Sequence, residues 1–395
     1  MNIPFFTLSR QYHRLKEELD EAMTTVSAGG VFILGKNVAA FEQEFASFVG
    51  VRHAVGVASG TDALLLSLRA LDIGRGDEVV IPANVYPTAF PVAMSGATIR
   101  LVDCRDDGLI DNERLAQAVT KRTRAIIPVH LYGNPVDMRL LDRIVKNTHR
   151  KIFVIEDAAQ AHGTILKNSN FKMQNVKTKI QSSELRVQSS VLAGSVGDVG
   201  CFSFYPTKNI GAFGDAGIVV TGKKSLADRV RRLRMYGEVD RYISREVSGV
   251  SRLDELQAAF LRVKLRHVSE LVNRRRAIAR YYFRELRGVG DLRFIHDETR
   301  GDSREYRSSF HLFVIGTKHR ERLRKHLANE GVGTAIHYPI PVHLTRAFRS
   351  LGYRSGMFPV SERLSREILS LPMYPELTDN EVATVVSEIK TFYHG

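Results

Sequence analysis

The chain has 395 residues, 44% hydrophobic and 25% charged, enough to bury a large core divided between two domains. No apolar run of about 18 residues occurs, which argues against a membrane span, and Cys104 and Cys201 are too few and too far apart for a disulfide scaffold or a metal site. The formal net charge of +14 raises nucleic acid as a partner, yet the basic clusters at Arg229, Arg231, Arg232 and Arg234 and at Arg274 to Arg276 lie in helix-periodic stretches without interleaved aromatics, so none is expected.

Strand-like runs recur at 53–58, 78–82, 98–103, 125–130, 152–156, 199–204 and 216–221. Helical periodicity fills 62–71, 86–95, 112–120 and 138–148. Strands that alternate with helices predict an α/β fold, with a mostly parallel sheet and helices on both faces. A helical pattern over 251–287 leads to a different texture, in which 310–315 and 335–338 read as strands. The expected organisation is a large domain over 1–250 and a smaller C-terminal α+β domain over 251–395. One stretch breaks the alternation. From about 166 to 192 the chain is rich in Lys, Gln and Ser, with five basic residues against Glu184, which predicts a surface loop. The opening Met1 to Phe6 lacks a basic n-region and a long apolar stretch, so a cytoplasmic protein is expected.

Three motifs carry chemistry. The first is Ser59-Gly60-Thr61-Asp62, between a short strand and the apolar helix beginning at Ala63. Free N–H groups and the helix dipole at such a start make an anion cradle. In the second, the strand Ile152 to Ile155 runs into Glu156-Asp157-Ala158-Ala159-Gln160-Ala161-His162-Gly163. Asp157 thus falls at a strand's carboxyl end, where open α/β sheets bind ligands. The third is Cys201-Phe202-Ser203-Phe204-Tyr205-Pro206-Thr207-Lys208, an apolar run ending in a lysine. Apolar surroundings strip water from an ammonium and favour the neutral, nucleophilic amine. An amine, a buried carboxylate and a phosphate cradle match the aldehyde, ring nitrogen and phosphate of pyridoxal phosphate.

These segments, with Pro128-Val129-His130-Leu131-Tyr132-Gly133, Ser251 to Ala259 and Leu369 to Pro375, resemble the DegT/StrS nucleotide-sugar aminotransferases nearly end to end. The resemblance implies fold type I, pyridoxal phosphate as cofactor and a homodimer with shared active sites. Lys208 would link to the cofactor aldehyde and move the substrate proton, and Asp157 would pair with the ring nitrogen. Gln160 would lie near the ring hydroxyl, Tyr86 would stack on the ring face, and Gly60, Thr61 and Ser203 would bind the phosphate. His337 and Tyr338 resemble a substrate-facing loop. L-glutamate would be the amino donor and a keto-sugar nucleotide the acceptor, with the basic surface attracting its diphosphate.

The form Phe204 to Asn209, with the glycines from Gly211 to Gly217 behind it, resembles members that aminate C3 of dTDP-3-keto-6-deoxyhexoses. Members acting at C4 more often carry histidine where Tyr205 stands. A sugar dehydratase on this fold would replace Lys208 by histidine, and a non-catalytic PLP-binding protein would need a damaged site. One departure concerns Val250, which stands where relatives carry an asparagine that reaches the partner subunit's phosphate. Either that contact is lost or a neighbour such as Ser251 replaces it. The polar stretch from 166 to 192 is expected beside the active-site mouth, because both its flanks lead to strands that carry the site.

Overall fold

A computed structural model describes residues 2–167, 190–296 and 307–394. Its large sheet has seven strands: β1 (His53–Val57), β2 (Glu78–Pro82), β3 (Thr98–Val102), β4 (Thr123–Ile126), β5 (Phe153–Asp157), β8 (Val199–Ser203) and β9 (Gly217–Thr221). A short hairpin intervenes, formed by β6 (Ile165–Lys167) and β7 (Ser190–Leu192). The spatial order is β1-β9-β8-β5-β4-β2-β3. Only β9 runs against the others, since it pairs antiparallel with both β1 and β8.

Period-two alternation divides each strand between two apolar layers. Ala54, Val80 and Ile126 join helices α3 (Lys36–Val49), α6 (Asn112–Ala118) and α7 (Met138–Asn147) on one face. Val55, Val79 and Ala125 join α4 (Gly60–Ala70), α5 (Tyr86–Met94) and α8 (Lys224–Leu233) on the other. Two N-terminal helices, α1 (Ser9–Arg14) and α2 (Lys16–Gly29), precede them, and α2 packs on α9 (Glu255–Arg266). The hairpin β10 (Glu238–Asp240) and β11 (Ile243–Ser244) follows α8. A second antiparallel sheet joins β12 (Arg293–Phe294), β13 (Phe313–Gly316) and β14 (Ile368–Leu371). The helices α10 (Val268–Leu286), α11 (Arg320–Asn329) and α13 (Asp379–His394) pack around it, and α12 (Pro359–Glu367) leads into β14.

Strand and helix positions follow the sequence reading closely, with three differences. The run 125–130 is regular only to Ile126, because Pro128 has no N–H to give to a ladder. Its carbonyl still accepts the Asp157 N–H at 2.9 Å, so the chain stays beside β5. The expected strand 335–338 makes a single bridge, Ala335 to Ser370, before its side chains turn to other partners. The ends of the polar stretch are not loop. Ile165 to Lys167 pair with Ser190 to Leu192, and Leu166 and Leu192 are buried. The rest of that stretch, 168–189, lies outside the described residues.

Packing also crosses position 250 in both directions. Ile3 is buried in the cluster of α10 and β13, and α9 lies against α2 and α3.

Candidate active site

Parallel strands bring their carboxyl ends to one edge of the sheet, and the site is built there. A cavity of about 300 Å³ opens between the ends of β5 and β8 and the start of α4. Gly60, Thr61, Asp157, Gln160, Ser203, Lys208 and Tyr338 all line it.

At the α4 end, the Ser59 hydroxyl accepts the Asp62 N–H at 3.0 Å and the Ser59 carbonyl accepts that of Ala63. The N–H groups of Gly60 and Thr61 are left without a partner among the described residues. Close approach requires glycine here, since a Cβ on Gly60 would sit 2.7 Å from that of Ser203. The Ser203 hydroxyl accepts the Tyr205 N–H at 3.2 Å, which leaves its own hydrogen free to donate. Two N–H groups and a hydroxyl thus face one anion-sized space, as a phosphate requires.

At the opposite end, Asp157 is buried at the tip of β5. Its Oδ1 accepts the Ala159 N–H at 3.1 Å and its Oδ2 the Thr88 hydroxyl at 2.7 Å. Burial raises the carboxyl above its ordinary value, while Thr88, Ala159 and the charge of Lys208 pull it back down. Lys208 follows the turn after β8, and burial pushes its amine down to about 8 against the opposing pull of Asp157. Next to it, Asn209 donates to the carbonyls of His162 and Ser309, which fixes the backbone from which the lysine rises.

Gln160 is oriented from behind. Its Oε1 accepts the Tyr132 N–H at 2.7 Å, so its amide nitrogen points forward and donates to the Tyr338 hydroxyl at 3.3 Å. Tyr132 reaches that position in the left-handed region, at φ 62°. A tyrosine there carries a cost of about 1 kcal/mol or more, offset by its buried ring and by its hydroxyl, which donates to the His337 carbonyl. Burial pushes the Tyr338 hydroxyl above its ordinary value. On the far side of β5, Glu156 accepts from the N–H groups of Gly194, Val196 and Gly197 and pairs with His130 at 2.9 Å.

Two expected site residues are not among those that line the cavity, although their chain neighbours are. Tyr86 is 40% exposed and packs edge-on to Phe90, with its ring 6.4 Å from that of Tyr338, and is not among the residues lining the cavity. The His337 ring stacks on Phe5, bonds Ser370 Oγ at 2.9 Å, and is also absent from the lining. Burial lowers it to about 4. Val250 is 42% exposed, and Ser251 is turned inward, where its hydroxyl donates to Asp62 and accepts the Ala58 N–H. That hydroxyl is therefore spent within its own chain. Neither arm of the β6–β7 hairpin contributes to the lining, and the expectation for 168–189 lies outside the described residues.

Sequence reasoning missed Thr88, Tyr132 and Asp215. Thr88 carried a faint signal, two residues into a helix that begins Tyr86-Pro87 beside a strand's end. Tyr132 stood inside the motif at 128–133 but without a role assigned to it, and Asp215, which also lines the cavity, carried no signal.

A nucleophilic amine, a buried carboxylate and a phosphate cradle around one cavity fit pyridoxal phosphate in kind and in order. A profile of the DegT/DnrJ/EryC1/StrS aminotransferase family matches residues 13–390. The chain is 40% identical over 394 residues to the erythromycin biosynthesis sensory transduction protein EryC1 of Saccharopolyspora erythraea, covering 99% of each. It is also 40% identical over 391 residues to the dTDP-3-amino-3,4,6-trideoxy-alpha-D-glucose transaminase of Streptomyces venezuelae, covering 98% of this chain and 95% of that one. The crystal structure of S. venezuelae DesV in complex with a ketimine intermediate superposes with a TM-score of 0.89 at 37% identity, covering 100% of this chain and 99% of that one. The family resemblance and fold type read from the sequence are borne out, and with them the cofactor, pyridoxal phosphate. With its profile matched across nearly the whole length, the chain belongs to the DegT/DnrJ/EryC1/StrS aminotransferase family.

Proposed function

We propose that this enzyme transfers an amino group from L-glutamate to C3 of a dTDP-3-keto-6-deoxyhexose, as a cytoplasmic homodimer. The observation that carries the reading is the meeting of Lys208, Asp157 and the Gly60–Thr61–Ser203 cradle in one cavity. Likeness to the S. venezuelae transaminase supports the sugar class and the carbon aminated. Pyridoxal phosphate, when bound, supplies a ring that accepts the electron pair left as the substrate C–H bond breaks.

The chain's own residues do the rest. The Lys208 amine, whose lowered pKa of about 8 gives it a larger neutral fraction than a solvated lysine, holds the cofactor between turnovers and carries the proton from the substrate carbon. Asp157 keeps a proton on the ring nitrogen, because an ionised carboxylate opposite it stabilises the positive charge. Gly60, Thr61 and Ser203 bind the phosphate and set the ring's place in the cleft. Gln160 presents its amide hydrogens toward the ring hydroxyl, since its oxygen is already taken by Tyr132. Tyr86 and His337 act, in this reading, from just outside the cavity that Tyr338 helps to line.

The homodimer is supported by exposed apolar surface. Val31 to Leu34 form a run that is 36% to 55% exposed, and its backbone bonds to the Asp254–Glu255 segment that follows Val250. An exposed apolar run of this kind is a candidate contact face. Phe32→Asp should convert dimer to monomer in sedimentation and lower turnover, and an unchanged dimer would remove this face from the interface. Two unpaired, buried cysteines fit a reducing compartment.

The function is tested in two half-reactions. L-glutamate should convert the bound cofactor to its amine form, read as loss of its visible absorbance. A panel of dTDP- and UDP-linked 3-keto and 4-keto sugars should then restore it, with the dTDP-3-keto-6-deoxyhexose best. A 4-keto sugar as the best acceptor would overturn the C3 assignment, and no response to glutamate would leave a binding protein.

A further inference from the structure

Thr88 lies in the first turn of α5, immediately after Pro87, and is fully buried. A proline at this place supplies a helical φ and has no N–H to leave unsatisfied, so the helix can begin abruptly against the end of β2. The next side chain therefore projects toward β5 at short range. The Thr88 Oγ1 lies 2.7 Å from Asp157 Oδ2 and lines the same cavity. An ionised carboxylate only accepts hydrogen bonds, so the hydroxyl must be the donor. The Ala159 N–H serves the other oxygen at 3.1 Å. Each carboxylate oxygen thus has one fixed protein donor and keeps lone pairs for a group in the cleft.

We propose that Thr88 is a positioning residue that holds the Asp157 carboxylate ionised and aimed at the cofactor's ring nitrogen. This rests on the assignment of Asp157 to that nitrogen.

The physical need is specific. Burial alone drives Asp157 toward its neutral form, and a neutral acid cannot stabilise a protonated ring nitrogen. The groups that face it are few. Lys208 after β8 and His130 after β4 both favour its charge, Cys201 pairs with it on β8, and the Tyr338 hydroxyl lies close enough to feel it. Among the described residues, Thr88 is the only side chain that gives it a hydrogen bond. Removing that donor leaves a buried carboxylate oxygen poorly served, and the effect should grow as pH falls toward the range where Asp157 takes up a proton.

The test measures pyridoxal phosphate affinity of the full-length protein by absorbance titration between about pH 6 and 9, for wild type, Thr88→Val, Thr88→Ser and Asp157→Asn. Valine keeps the volume of threonine, so folding should survive. Thr88→Val should weaken retention by about tenfold to a hundredfold, the range for a hydrogen bond to a charged group, with the deficit larger at pH 6 than at pH 9. Thr88→Ser should recover most of the loss. Valine matching wild type at every pH, or serine failing as badly as valine, would overturn the proposal, the latter pointing to packing by the methyl group. If Asp157→Asn is weakened while Thr88→Val is not, only this inference fails. If Asp157→Asn itself binds normally, the Asp157 assignment falls and this inference with it.

Discussion

Two buried lysines invite comparison. Burial pushes both the Lys208 and the Lys264 amines down to about 8, each opposed by one carboxylate, Asp157 and Glu376 respectively. Their surroundings differ. Lys264 rises from α9 into a closed apolar setting, donates to the Gly211 carbonyl at 2.6 Å and lies 4.2 Å from the centre of the Phe213 ring. That carbonyl belongs to the turn that carries Lys208, so one amine anchors the loop, while the other lines the cavity without a hydrogen-bond partner among the described residues. A depressed pKa therefore does not by itself mark a catalytic lysine. What sets Lys208 apart is access to a cavity that also offers an anion cradle and a carboxylate.

The largest effect that can break the comparison is on turnover. Lys208→Ala should lower it by more than about 10⁴-fold, because one amine both holds the cofactor and moves the proton. Lys264→Met should lower kcat by less than about tenfold. Borohydride reduction and peptide mapping should label Lys208 alone, and a label on Lys264 would reverse the two roles.

The next effect is on stability. For an amine near 8 when folded and 10.5 when unfolded, the unfolded chain holds a proton that the folded one has lost between these values. Stability should therefore rise with pH across that window, by about 3 kcal/mol in all for Lys264. In the cofactor-free protein Lys208 adds a slope of the same sign. Lys264→Met should thus halve the rise in denaturant midpoint between about pH 8 and 10, and an unaltered rise would mean that Lys264 is not desolvated.

Capture of pyridoxal phosphate by the cofactor-free protein should quicken about tenfold per pH unit below 8 and level off above it, as the neutral amine of Lys208 accumulates. A flat stopped-flow profile would assign the rate to another step. The smallest effect concerns the phosphate. Val250→Asn should tighten cofactor binding only a few-fold, since one added hydrogen bond contributes about 1 kcal/mol. No gain would mean that the phosphate is already fully served.

Much of this was legible in order along the chain. Uninterrupted β-branched runs such as Val79 to Ile81 and Ile218 to Val220 are buried on both faces, which is why all seven sheet strands could be placed within a few residues. Lys208, Asp157, Gln160, Gly60, Thr61 and Ser203 were legible because each sits at the end of such a run, and strand ends converge. The strand expected at 335–338 failed because it needs a ladder partner, and only Ala335 finds one. The packing of Tyr86 could not be read in advance, because an aromatic at a helix start says nothing of which neighbour it packs on, here Phe90.

The sequence alone determined the order of elements and the family, and it singled out Lys208 as the candidate amine, because hydrophobic periodicity and short motifs are local properties of a chain. Tertiary structure alone decided which hydroxyl steadies Asp157, why Gln160 points forward, and which of two buried lysines faces the cavity. Those contacts join residues 69, 28 and 53 positions apart. No local pattern encodes such pairings, since they exist only once the sheet has brought its strand ends to one edge.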